Sequence, residues 1–194
     1  MKRKLLTMSI LLIAIAIIGY GSLAYFTASK VAHNTISVGN IDIELLNWAD
    51  EARQEEFQSD DMVVMPNTEI VKIVEVKNTS LEDAYIRVKL DSAIALSNTA
   101  EMEDMGLVSV DINTTNWKLQ DGYYYYTSPL SGGEVTVPLY TKVAFSKKMS
   151  NIYDNSTLQL DAHAYAVQVA NNGEDALTAD GWPEVPQIHN GQGE

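Results

Sequence analysis

Three histidines, His33, His163 and His189, are the residues of this chain best suited to hold a transition metal. The sequence has no His-Glu-x-x-His motif that would present two imidazoles and a general base to zinc. Asp161 and His163 lie two residues apart in a predicted strand, so they would share one face and could bind a metal together. A solvent-facing row of polar side chains explains the same spacing. We therefore expect no catalytic residue and no metal site, with Asp161 and His163 as the residues to check.

Acidic clusters at Asp60-Asp61 and at Glu101, Glu103 and Asp104 offer the hard oxygen ligands that calcium prefers. They lack the Asp-x-Asp-x-Asp-Gly order of a calcium loop, so solvated acidic loops are the simpler interpretation. The sequence also contains no Gly-x-Ser-x-Gly elbow and no Gly-rich phosphate loop. We expect no cofactor.

Four consecutive tyrosines, Tyr123 to Tyr126, place two phenol rings on each face of a strand. Packing beneath one sheet and cross-strand pairing would account for them. A platform for stacking sugars is the alternative, and Tyr124 and Tyr126 are the residues that would test it.

The elements that would position these residues are strands. From Thr35 onward, apolar and polar residues alternate with period two, and turn residues separate the runs. About eight short strands without a long amphipathic helix predict an all-β fold. We expect an antiparallel β-sandwich of jelly-roll or Greek-key type with one or two short helices. The predicted strands are 35–46, 69–77, 84–91, 108–112, 117–120, 123–127, 135–145 and 158–169.

Local signals refine several of these elements. Asp121-Gly122 accepts the positive φ angles of a type I′ turn and predicts a tight hairpin. In strand 84–91 the apolar residues would face the core, while Arg87 and Lys89 would face solvent. The alanines of strand 158–169 indicate that something packs closely against one face. Residues 173–179 are expected to form a short capped helix.

The first 24 residues are predicted to be a signal peptide. Lys2 to Lys4 form a positively charged n-region, and Leu5 to Ile18 form the apolar h-region that follows it. The triplet that begins at Ser22 and ends at Ala24 has the small-x-small pattern of a signal peptidase site. Cleavage after Ala24 would make Tyr25 the new N-terminus.

An uncleaved membrane anchor is the alternative for this segment. Residues 5–26 carry no charge and are long enough to cross a hydrocarbon core of about 30 Å. Both interpretations place the rest of the chain outside the membrane, so we expect a secreted protein of the extracellular matrix or cell surface. The membrane would be a partner only through the signal segment.

Net charge and cysteine content narrow the possible partners and the class of exported protein. The signal holds three of the 13 basic residues and none of the 26 acidic ones, which leaves 10 basic against 26 acidic residues and a net charge of −16. Such a surface repels phosphate backbones, so we expect no nucleic-acid partner. The absence of cysteine in an exported chain favours a Gram-positive exterior and excludes thiol catalysis.

These observations predict four parts of the chain. They are the signal peptide 1–24, an N-terminal strand segment 25–47, the remainder of the β-sandwich 48–181 and a flexible C-terminal tail 182–194.

Motifs along the chain resemble a known family. Residues 21–27, Gly-Ser-Leu-Ala-Tyr-Phe-Thr, and residues 36–43, Ile-Ser-Val-Gly-Asn-Ile-Asp-Ile, resemble the signal and first mature strand of the TasA/camelysin family of Firmicutes. The later matches look like the clostridial, pilus-like branch of that family. They are residues 75–79 with 84–89, residues 121–126 with Leu130 and 133–136, and residues 164–168.

The resemblance implies a jelly-roll subunit that is released by a dedicated signal peptidase and builds biofilm fibres from copies of itself. An accessory fibre-nucleating protein is a further partner that it implies. In that family the new N-terminal segment is lent to a neighbouring subunit as a missing strand. Camelysin-like members also carry a metallopeptidase label, which we keep as the enzyme alternative.

The residues of the N-terminal segment independently allow strand lending. The segment is rich in β-forming residues and could supply backbone pairs to an exposed sheet edge of another copy. The alternative is that it forms the edge strand of its own sandwich, in a monomeric adhesin or carbohydrate-binding domain. The residues expected to carry polymerisation are Tyr25, Phe26, Val31, Ile36 and Val38.

Overall fold

The computed structural model describes residues 35–37, 40–58, 61–95, 105–149, 153 and 156–183, which belong to one compact unit. These residues form two β-sheets that pack face to face, which confirms the predicted all-β sandwich. The helical element among the described residues is a 3₁₀ turn, Met105–Leu107. The strands are β1 (Thr35–Ser37), β2 (Ile43–Trp48), β3 (Asp61–Val63), β4 (Glu69–Asn78), β5 (Ala84–Ala95), β6 (Val108–Val110), β7 (Trp117–Gln120), β8 (Tyr123–Tyr126), β9 (Tyr140–Phe145) and β10 (Thr157–Gln168).

The chain passes back and forth between the two sheets. Sheet 1 has the strand order β1-β10-β5-β8-β7, with β3 also paired to β10, and sheet 2 has the order β2-β4-β9-β6. Successive strands lie in opposite sheets except for the hairpin β7–β8. Every strand pair is antiparallel except β1 with β10, which is parallel.

Alternation along the strands builds the core between the sheets. One face of each long strand is apolar and turns inward, because burying that face removes it from water while the backbone stays hydrogen-bonded. On β10 the inward residues end in a row of alanines. The buried inner residues of β5 and β10 include Ile86, Val88, Leu158, Leu160, Ala162, Ala164 and Ala166.

The predicted strand 35–46 is wrong as a single element, because the structure divides it between the two sheets. Its first part is β1 of sheet 1, and its second part continues into β2 of sheet 2. Gly39-Asn40 is a turn signal that interrupts the β pattern. Ile41, only 1 % exposed, then enters the core next to the start of β2.

Two further local predictions differ from the structure. Predicted strand 135–145 is a strand only over Tyr140–Phe145, and the preceding residues include Pro138, which has no N–H to donate to a ladder. Residues 173–179 form turns rather than a helix, with the Asp175 carboxylate accepting hydrogen bonds from the N–H groups of Leu177 and Thr178. The Asp121-Gly122 turn is confirmed, with φ angles of 51° and 80°.

The acidic connection after β2 is more ordered than its composition suggests. Arg53, at a φ of 55°, donates to both carboxylate oxygens of Glu75 on β4, with its closest contact at 2.7 Å. The Trp48 indole N–H donates to the same carboxylate at 3.2 Å. Glu75 is thereby 5 % exposed although it faces away from the core, and the hydrogen bond to it raises the pKa of Arg53.

Candidate functional site at the outer edge of strand β10

Among the described residues, strand β10 pairs with one long strand on one side and with two short strands on the other. It pairs with β5 over all twelve of its residues. On the opposite side β3 pairs with residues 157–159 and β1 pairs with residues 164–166. Within the described part of the chain, residues 160–163 lie between these two pairings. We call this stretch the β10 gap.

The backbone groups that face the gap follow from the hydrogen-bond pattern. Val169 lies opposite Asp83 in the register, and its N–H donates to the carbonyl of Asp83. Hydrogen-bonded pairs alternate with non-bonded pairs in an antiparallel ladder, so the odd-numbered residues of β10 are the ones that bond to β5. The even-numbered residues of β10 therefore direct their N–H and C=O groups toward the other edge. In the gap these are the groups of Leu160 and Ala162.

A buried lysine reaches one of these groups from the opposite sheet. Lys72 of β4 is fully buried, and its Nζ donates to the carbonyl oxygen of Leu160 at 2.9 Å. The same ammonium lies 4.9 Å from the centre of the Phe57 ring. A charge in a protein interior is costly, so a specific set of contacts must hold it there.

The short strand β1 is the part of the N-terminal segment that the structure describes. Thr35 lies opposite Ala164 and Ile36 lies opposite Tyr165. Ile36 is thus the one predicted polymerisation residue within the described range, at the outer edge of sheet 1. The other four, Tyr25, Phe26, Val31 and Val38, and the cleavage-site residues Ser22 and Ala24, lie outside the described residues.

Small side chains lie behind this edge. Ala162, Ala164 and Ala166 face inward on β10, and strand β2 of the other sheet contacts both β1 and β10. Alanine leaves room for the sheets to approach closely at this end of the sandwich. The prediction that something packs closely on this face is confirmed, and the partner is the second sheet.

The metal candidates lie on the outer face of the same strand. The His163 Nε2 lies 3.8 Å from an oxygen of Asp91, and the Lys89 Nζ lies 3.0 Å from the other oxygen of that carboxylate. Asp161 is directly opposite Asp91 in the ladder. Among the described residues no three His, Cys, Asp or Glu side chains come together as a metal site. His33, His189 and the calcium candidates Asp60, Glu101, Glu103 and Asp104 lie outside the described range.

The sequence pattern did not predict the arginine–aromatic cluster on this outer face. Arg87 was expected to face solvent, yet it is only 9 % exposed. Its guanidinium carbon lies 3.9 Å from the ring centre of Tyr123 and 4.7 Å from that of Trp182. It donates to the Tyr125 hydroxyl at 3.2 Å and to the Pro183 carbonyl at 3.1 Å. The sequence signal that could have indicated this cluster is the spacing of Tyr123 and Tyr125, which places both rings on one face of β8, next to Arg87 on β5.

The same cluster includes Tyr165, the residue opposite Ile36. Its ring centre lies 5.7 Å from that of Tyr123 and 5.4 Å from the Arg87 guanidinium. Burial raises the pKa of the Tyr165 phenol above its usual value, Tyr123 adds to this, and the Arg87 charge opposes it. The β1 edge and the cluster therefore form one continuous surface.

This cluster corrects the start of the predicted tail. Trp182 and Pro183, assigned to the flexible tail, pack on sheet 1, while residues 184–194 lie outside the described range. Tyr124 and Tyr126 are on the inner face. Tyr126 is 9 % exposed and packs against Trp117 at 5.0 Å between ring centres, so it does not offer its ring to a sugar.

Comparisons with protein-family models, with curated proteins and with solved structures found no match to this chain. Within the described ranges, no helix combines the length and the apolar character needed to cross a membrane.

Proposed function

We propose that this chain is a secreted, non-enzymatic subunit of extracellular matrix fibres. After signal cleavage before Tyr25, its N-terminal segment would pair with the β10 edge of a neighbouring copy, and the fibre would be held without covalent bonds. A dedicated signal peptidase would expose the segment, and an accessory protein would start the fibre. Export and processing rest on the sequence of residues 1–24, and the matrix role rests on the resemblance described above.

The observation that carries the proposal is that β1 of the N-terminal segment pairs with the outer edge of β10. A sheet edge with open backbone groups can accept a strand from another molecule. Among the described residues this edge pairs with β3 and β1, and β1 belongs to the segment predicted to be lent. If the parallel register of β1 continued toward the N-terminus in an assembly, Val31 to Asn34 would lie opposite the four gap residues.

The geometry of β1 favours exchange between copies. The three described residues of β1 pair with β10, and each backbone hydrogen bond contributes about 1 kcal/mol net. A neighbour's β1 would make the same contacts, so exchange between copies costs few interactions. Lending a strand head to tail is an open, heterologous contact and generates a filament rather than a closed dimer.

A cysteine pair tests whether the strand is lent. The chain has no cysteine, so Thr35→Cys with Ala164→Cys would introduce one defined pair across β1 and β10. We expect the protein that starts at Tyr25 to give a ladder of disulfide-linked multimers on a non-reducing gel after assembly. Mixing the two single-cysteine variants should give a cross-linked dimer of one copy of each.

A second pair provides the control. Leu119→Cys with Tyr124→Cys lies within the β7–β8 hairpin and should close inside one chain whatever the assembly state. A 35–164 disulfide that forms only within monomers, with no mixed dimer, would mean that β1 stays in its own sandwich and that the strand is not lent.

A further inference from the structure

The loop of residues 171–181, which we call the Asn172 loop, is held closed by one side-chain amide. The Nδ2 of Asn172 donates to the carbonyls of Gln168 and Asp180, both at 3.1 Å. Its Oδ1 accepts from the N–H of Asp180 at 2.8 Å and from the N–H of Gly173 at 3.1 Å. These contacts join the end of β10 to the far end of the loop.

The backbone at Gly173 is packed against the other side of the same loop. A Cβ placed there would lie 2.7 Å from the backbone nitrogen of Ala179 and 2.8 Å from the carbonyl carbon of Thr178. The Gly173 carbonyl also accepts from the hydroxyl of Tyr85 on β5 at 3.2 Å. The peptide that precedes Gly173 therefore has no room to rearrange while the loop is closed.

Asn172 and Gly173 form a dipeptide that can react with itself. Asparagine is chemically labile, and a following glycine has no side chain to hinder attack by its own nitrogen. The Gly173 nitrogen bonds to the Asn172 Cγ, the Cγ–Nδ2 bond breaks, and ammonia leaves with the proton that this nitrogen loses. Water then opens the succinimide ring at either carbonyl and gives aspartate or isoaspartate.

We propose that Asn172 is a spontaneous modification site whose deamidation opens the loop irreversibly. Ring formation requires that both Nδ2 hydrogen bonds break and that the packed peptide turns, so the reaction proceeds from the opened loop. The aspartate product places an acceptor oxygen opposite the carbonyls of Gln168 and Asp180, where a donor is needed. The isoaspartate product adds a methylene to the backbone beside Gly173, where there is no space. Neither product can rebuild the closed loop.

Opening this loop frees the segment that covers the arginine–aromatic cluster. Trp182 and Pro183 follow the loop directly and contact Arg87. Once Asn172 no longer holds Asp180, this segment loses its fixed starting point, and deamidation exposes Arg87 on the outer face of sheet 1. The inference goes beyond the proposed function and holds whether or not β1 is lent.

Peptide mapping by mass spectrometry measures the modification. We expect Asn172 to deamidate at least about tenfold more slowly in the purified protein than in a synthetic peptide of residues 168–176, which lacks the loop contacts. Tyr85→Phe removes the hydroxyl that donates to Gly173 and should raise the rate in the protein by about threefold or more. Lys89→Ala, whose ion pair is largely open to solvent on the same strand, should leave the rate unchanged.

Limited proteolysis measures the opening of the loop. Asn172→Asp, which is the product with an unaltered backbone, should be cut within residues 173–183 about tenfold faster than the unsubstituted protein. Asn171→Asp adds the same charge at the neighbouring exposed position and should be cut at the native rate. Aged protein in which Asn172 has reacted should show the same rapid cleavage, so the test stands even if Asn172→Asp does not fold.

Three results would overturn the inference, once circular dichroism shows that the sandwich is folded. Equal deamidation rates in the protein and the peptide would mean that the loop does not control the reaction. A rate that does not rise in Tyr85→Phe would mean that opening of the loop is not required. Native protease resistance in deamidated chains would mean that the product can close.

Discussion

At the scale of single residues, Arg87 shows how a charged side chain can become part of a small second core. It lies among aromatic rings on the outer face of sheet 1, and its Nε has no hydrogen-bond partner among the described residues. Its remaining contacts hold the Trp182-Pro183 segment on the sheet. Guanidinium suits this position because it is planar, stacks on rings and donates in fixed directions.

Replacing Arg87 with lysine should therefore be costly although the charge is kept. We expect Arg87→Lys to lower the free energy of unfolding by about 1–2 kcal/mol, because stacking and the fork of donors are lost. Urea denaturation followed by tryptophan fluorescence measures the change. Limited proteolysis should also cut earlier near Trp182.

Lys89→Ala is the matched control for this substitution. It lies on the same face of the same strand, two residues away, and its ion pair with Asp91 is largely open to solvent. We expect it to change stability by less than about 0.5 kcal/mol. Equal stability of Arg87→Lys and the native chain would refute the anchoring role.

At the scale of elements, the two outer edges of sheet 1 differ in what they expose. The β10 edge carries buried alanines, the Leu160 carbonyl that accepts from Lys72, and the parallel strand β1. The β7 edge is a short hairpin strand with Leu119 63 % exposed. In a two-residue hairpin the two residues that flank the turn form hydrogen bonds with each other, here Gln120 with Tyr123 of β8. The backbone N–H of the preceding residue, Leu119, therefore points away from β8 toward the open edge.

Proline substitution can block either edge without removing a bond of the neighbouring ladder. The N–H of Ala162 faces the β10 gap, so Ala162→Pro should stop fibre growth and leave the β5 ladder intact. Leu119→Pro blocks the β7 edge in the same way and should leave growth unchanged. Electron microscopy and light scattering of both variants, after circular dichroism shows that they fold, compare the two edges.

The opposite result would be informative as well. Growth of Ala162→Pro at the native rate, together with loss of growth in Leu119→Pro, would move the acceptor edge to β7. The proposed role of the β10 gap would then be wrong.

Elements were predictable from sequence where their signals are local. The β7–β8 hairpin depends on two turn residues between two short alternating runs, and it lies where predicted. The division of residues 35–46 between the two sheets was not predictable in this way. Apolar and polar residues alternate in the strands of both sheets, so the pattern does not indicate which sheet a strand joins. That choice depends on Ala164 and Asn78, which pair with β1 and β2 from far along the chain.

At the scale of the whole molecule, net charge sets how copies approach one another. The chain from Tyr25 carries a net charge of −16, with 10 basic against 26 acidic residues. Two such copies repel at long range, which keeps monomers apart, while docking of a strand needs close approach. Screening this repulsion should therefore speed assembly.

We expect fibre growth to accelerate when salt rises from about 0.02 M to about 0.3 M, because the Debye length falls from roughly 20 Å to roughly 6 Å. Light scattering at fixed protein concentration gives the rate, and sucrose at matched viscosity is the control. Slower growth in salt would contradict this expectation. It would show that attraction between the leader, with Lys30 and the free amine of Tyr25, and the acidic body controls association.

The sequence alone determined the pattern of strands, their inward faces and the tight hairpin, because period-two alternation and turn residues act over a few neighbouring positions. It also fixes the net charge and carries the N-terminal pattern that predicts an export signal, and the proposed class of protein rests on both. The tertiary structure decided which runs share a sheet, that Arg87 is buried beneath Trp182 and that Lys72 reaches the Leu160 carbonyl. Those contacts join residues up to 96 positions apart, and their partners are chosen by how the two sheets pack rather than by any local pattern.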